Sequence, residues 1–184
     1  MSSLELDFVV YRGDPDDGVE AVPSRALLGG SDMSGIDWPG AYGAVVVTKK
    51  GKELAARQPD PIFNVITHMV RAVHSLIDGE PETIGYSETE HGFLFEPSGE
   101  DVMVSFFAGD PYEPDEYLIT EEQIALEAWA EQVMGMGKRL RDIVKKVDPD
   151  LFERDEYSQS LMEFLELSGE SFTSFKREKE RGLR

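Results

Sequence analysis

Few residues in this chain are of types and spacings that do chemistry. Glu88, Glu90 and His91 are the cluster that joins carboxylates to an imidazole. On an extended segment Glu88 and Glu90 share a face, and repulsion between them can raise one toward the range of a general acid. Nothing nearby completes a catalytic machine: there is no placed serine, no metal-ligand motif and no phosphate-cradling glycine loop opening a helix. A polar turn between strands is the competing account. Asp14, Asp16, Asp17 and Gly18 begin like a calcium loop, but the spacing is wrong. Twelve positions in, where a bidentate acid belongs, stands Arg25, so the segment reads as an acidic turn. His68 and His74 lie six residues apart on a predicted helix. That separation is about 240° of rotation, so they cannot grip one ion from one face. His68 is expected in solvent and His74 at the boundary of the core. The chain has no cysteine and 3 histidines, which excludes disulfides, thiolate nucleophiles and histidine-rich metal sites. No catalytic residue, metal or cofactor is assigned.

The elements that must position these groups read as follows. Leu4, Leu6, Phe8 and Val10 alternate with more polar positions, the period of a half-buried strand. Residues 29–40 form a glycine-rich loop, and Ala44–Thr48 is a short β-branched strand. Asp60 is placed to cap a helix, with Pro61 in its first turn and Gly79 after its end. Ile62, Ile66, Met69, Val70, Val73 and Ile77 give that helix one apolar stripe. Three strands are expected at 83–86, 92–96 and 102–108, joined as antiparallel hairpins. Gly109–Glu116 reads as a proline-stiffened loop, followed by a short strand at Tyr117–Ile119. Thr120-Glu-Glu-Gln123 has the form of a capping box for a second helix. On it Leu126, Trp129, Val133, Met136, Leu140, Ile143 and Val147 step in a heptad-like seam, interrupted by Gly135 and Gly137. A third helix starts near Asp155 with Leu161, Phe164, Leu165, Phe172 and Phe175 inward, and its charged tail from about Lys176 is expected to fray. The whole is a single α+β domain over residues 1–184, an antiparallel sheet covered on one face by about three helices.

The charge is more distinctive than the chemistry. Thirty-seven acids against 18 bases give a net charge of −19 over 184 residues, where a magnitude of roughly 2 to 8 already keeps a small domain soluble. Between Arg71 and Lys138 there is no lysine or arginine, while 16 acids fall in that interval. Such a field disfavours direct binding to nucleic acid or anionic lipid and attracts basic proteins. No apolar run is long enough to span a membrane, and the N-terminal residues are acidic rather than signal-like, so a cytoplasmic protein is expected. Glu88, Glu90, Glu96, Asp110, Glu113, Asp115 and Glu116, with Tyr112 as an aromatic anchor, are the candidate face for a basic partner. Trp38 and Tyr117 also lie among acids. A generally acidic proteome is the alternative source of the charge.

In overall character the chain resembles bacterial polymorphic-toxin immunity proteins. The resemblance rests on the acidic segment Gly92–Ala108, the loop Gly109–Glu116, and Tyr117–Ile119 running into Glu127-Ala-Trp129. It covers about residues 60–147 and includes no diagnostic motif. It implies a monomer or homodimer that binds and neutralises a basic toxin domain, often a nuclease, without catalysis of its own. Two other readings stay open. A structural or assembly subunit, possible in a phage setting, would use the heptad-like helix against another chain. An acid–base or metal-dependent hydrolase would need carboxylates converging in a pocket rather than spread over a convex face.

Overall fold

In a computed structural model the described residues are 4–13, 19–36, 38 and 40–183. The fold is α+β with antiparallel pairing throughout. Its strands are divided between two sheets. The first contains β1 (Leu4–Arg12), β2 (Glu20–Pro23), β3 (Tyr42–Lys49), β4 (Lys52–Glu53) and β5 (Asp60–Pro61). β1 runs between β2 and β3, while β4 and β5 pair with opposite ends of β3. The second is a meander in chain order, β6 (Glu82–Gly85), β7 (His91–Ser98), β8 (Asp101–Asp110) and β9 (Glu113–Ala125). A short helix α1 (Ser24–Leu28) follows β2.

Helices α2 (Ile62–Ile77) and α3 (Leu126–Val147) bind the sheets together: α2 packs on β3, β6 and β7, and α3 on β1, β8 and β9. After the single turn α4 (Leu151–Arg154), helix α5 (Glu156–Glu180) covers α2 and α3 from outside. The alternation of β1 holds, since Leu4, Leu6, Phe8 and Val10 are all buried. The stripe of α2 and the seam of α3 from Leu126 to Ile143 are buried too, Trp129 and Leu140 completely; Val147 at the end is exposed. Gly137 marks a close helix crossing. A Cβ there would lie 2.6 Å from Val70 Cγ2 and 3.1 Å from Leu165 Cδ2, so only glycine lets the three helices meet. On α5, Leu161, Leu165 and Phe175 are buried, with Phe164 and Phe172 packed at the edge. Its last turns are tied down: Lys176 reaches Glu131 at 2.5 Å, and Lys179 reaches Glu127 at 3.2 Å and Glu100 at 3.6 Å.

Three local expectations give way to longer-range pairing. Thr120–Gln123 is not a capping box but part of β9, and α3 begins only at Leu126 with no side-chain cap. Ile119 and Ile124 must both face the core, yet their odd separation would put them on opposite sides of a regular strand. A bulge resolves this: Val104 pairs with Glu122 but Phe106 with Ile119, which inserts one extra residue on β9. Glu121, at φ 46°, sits in that bulge and donates its N–H to Ser105 Oγ. The expected loop Gly109–Glu116 is a hairpin instead, because β8 runs to Asp110, β9 starts at Glu113, and only Pro111 and Tyr112 connect them. Asp60 does not cap α2; the residue at the cap is Pro61, and no side chain serves there.

Candidate functional site

Asp60 is used elsewhere. The residue is 1% exposed, and its carboxylate accepts hydrogen bonds from the backbone N–H groups of Ser87 at 2.9 Å and Glu88 at 2.8 Å, and from the Ser87 hydroxyl. A buried carboxylate costs free energy unless it is met by donors, and these donors come from the turn between β6 and β7. The turn carrying Glu88 and Glu90 is therefore fixed by an acid 27 residues earlier in the chain. Next to it the Glu90 carbonyl accepts from Gly109 N at 2.6 Å, which docks the turn on the β8–β9 hairpin. Gly109 has φ 101°, and a Cβ there would lie 2.7 Å from Asp115 N, so the hairpin closes tightly at this point.

Between the turn and the hairpin lies an open cleft of about 670 Å3, walled by Tyr86, Glu88, Glu90, His91, Asp110 and Asp115 among others. The His91 ring stacks on Phe106 with centroids 5.8 Å apart, and its Nδ1 is buried without a hydrogen-bond partner, as is Thr89 Oγ1. Burial, assisted by the Asp60 charge, pushes the Tyr86 phenol well up, so it remains protonated. Beyond the cleft the hairpin tip projects. Asp110 Oδ1 accepts from Tyr112 N at 2.8 Å, which holds the tip as an Asx turn, and the Tyr112 side chain is 95% exposed.

The predicted partner-binding residues thus divide into groups. Glu88, Glu90, Asp110 and Asp115 converge on the cleft. Tyr112 and Glu113 stand at the tip. Glu116 lies on β9 opposite Ala108, and Glu96 lies on β7 opposite Met103, outside the cleft lining. All seven carboxylates are exposed, and none forms an ion pair with another described residue. Several bases elsewhere are matched to acids: Arg139 with Asp7 at 2.9 Å, Lys49 with Glu122 at 2.5 Å, and Arg71 with Glu82 at 3.1 Å.

Other sequence candidates resolve differently. The segment Asp14–Gly18 lies outside the described residues. No three His, Asp or Glu side chains among the described residues are grouped to hold a metal ion. His68 is half-buried rather than in solvent, and that burial lowers its pKa. His74 sits at the core boundary as expected, with Nδ1 2.8 Å from Ser171 Oγ and Nε2 3.7 Å from Asp78. That serine, histidine and aspartate lie together, yet Ser171 Oγ also donates to the Leu167 carbonyl of its own helix. The arrangement lies outside the clefts described and ties α5 to α2. Tyr117 is half-exposed on β9, whereas Trp38 is buried.

No described helix is long and apolar enough to cross a membrane. No family model, curated protein or solved structure matches the chain.

Proposed function

We propose that this chain is a protein-binding inhibitor whose acidic β8–β9 hairpin and adjoining cleft engage a basic partner, in the manner of a cytoplasmic immunity protein neutralising a toxin domain. The observation that carries the reading is the hairpin tip, where an almost wholly exposed Tyr112 is flanked by Asp110 and Glu113, and no base among the described residues pairs with either. Same-sign neighbours repel and cost stability when unmatched. A partner carrying lysine and arginine removes that cost and adds attraction at long range. The two-residue turn and its Asx hydrogen bond hold the acids in place before contact, which lowers the ordering cost of binding.

The assembly-subunit reading loses its main support, because the seam of α3 that would meet another chain is buried within this one. The hydrolase reading keeps one supporting observation, the convergence of Glu88, Glu90, Asp110 and Asp115 on one cleft. Affinity capture from the source organism separates them. The expected result is a strongly basic protein recovered at near-stoichiometric level and lost with Glu113→Lys plus Glu116→Lys. Recovery of a neutral or acidic partner, or retention of the basic one by the double variant, would contradict the proposal.

A further inference from the structure

The surface also holds an apolar groove of about 520 Å3, walled by Tyr11, Val19, Ile36, Tyr42 and Pro59. Val19 is 48% and Tyr42 45% exposed, so both present carbon surface to solvent. This groove and the acidic cleft are built on a common support. Tyr42 pairs with Pro61 and Gly43 with Asp60 across β3 and β5, so the groove wall and Asp60 belong to one piece of sheet. Asp60 in turn holds the backbone of Ser87 and Glu88 at the cleft rim. Asp60 therefore links the strand that carries the groove wall to the turn at the cleft rim.

Resting on the reading above, we propose that groove and cleft form one docking site: the groove takes an aromatic side chain of the basic partner, and the cleft takes the lysines or arginines that flank it. Exposed ion pairs set the rate and specificity of encounter but contribute little affinity. A lasting complex needs an apolar anchor in a pocket, rimmed by polar contacts, and the groove lies within the size range of side-chain and small-ligand pockets. The charge selects the occupant. A second copy of this chain would bring another −19 against the same acids, whereas an aromatic residue set among bases satisfies both depressions together.

The probes are three capped peptides titrated into the full chain and followed by 1H–15N NMR: Gly-Lys-Lys-Trp-Lys-Lys-Gly, the same peptide with Ala for Trp, and Gly-Glu-Glu-Trp-Glu-Glu-Gly. The Lys–Trp peptide should saturably shift Tyr11, Val19 and Tyr42 together with Glu88 and Glu90. The Lys–Ala peptide should bind about fivefold more weakly and shift only the cleft, and the Glu–Trp peptide should shift neither. Tyr42→Ser, at an exposed position, should reduce Lys–Trp affinity about fivefold and leave Lys–Ala unchanged. Equal binding of the two lysine peptides, confined to the cleft, would overturn the anchor while sparing the acidic-face reading. Failure of both lysine peptides would overturn both. Saturation of the groove by the Glu–Trp peptide would show a separate apolar site, and dilution-dependent shifts without peptide would show self-association; either result overturns the proposal.

Discussion

Asp60 and His68 show how burial changes what a titratable residue does. Asp60 accepts three donors from a distant turn and so acts as a positioning residue for Glu88 and Glu90. His68 lies on α2, where burial first and the Arg71 charge second hold its pKa below the ordinary 6.5, with Glu82 opposing. The unfolded chain then binds a proton more readily than the folded one. The stability contributed by neutral His68 is full above 6.5 and is lost as pH falls from there through the depressed folded value. His68→Gln should remove that slope. Between about pH 7 and about pH 5 the melting temperature of the wild type should fall more than that of the variant, since carboxylate titration is common to both. Parallel curves would show that the histidine is solvated in the folded state. The acid cluster at 88–91 was legible in the sequence from residue type and spacing alone. The role of Asp60 was not, because an aspartate before Pro-Ile at a helix start satisfies every local rule for a cap, and its true donors lie 27 residues away.

At the scale of elements, apolar period was the reliable guide. It predicts β1, β3, α2, β7, β8 and the buried seam of α3. It failed where parity broke, at 119–124, since a bulge is visible only once the partner strand is known. Local capping and turn chemistry then pointed to a helix start and a loop, and cross-strand pairing overrode both. The two glycines of α3 read alike in sequence but sit in opposite environments. At Gly135 a Cβ would meet only Arg139 at 3.6 Å, so Gly135→Ala should stabilise the protein by about 1 kcal/mol through helix propensity. At Gly137 a Cβ would overlap Val70, so Gly137→Ala should destabilise it by about 1–3 kcal/mol. Urea denaturation of the two variants checks the opposite signs, and equal shifts would contradict the helix crossing described.

Across the whole molecule, charge is segregated by position. The C-terminal helices carry half of the bases, 9 of 18, and several of them pair with acids, including Lys176 with Glu127 and Glu131 and Lys179 with Glu127. The hairpin acids of the second sheet pair with no base among the described residues. The asymmetry was legible in the sequence as an interval without bases. Its arrangement as a cleft with a projecting tip depended on pairing that no local pattern records. The central claim is that this hairpin steers a basic partner. Its most direct test is stopped-flow association with the captured partner, for the wild type and for Glu113→Lys with Glu116→Lys, at two salt concentrations. Raising ionic strength from 0.1 M to 1 M shortens the screening length from about 10 Å to about 3 Å. The account predicts a nearly unchanged melting temperature for the double variant, markedly slower association, and a salt effect far larger for the wild type. Equal rates and equal salt dependence in the two proteins would contradict it.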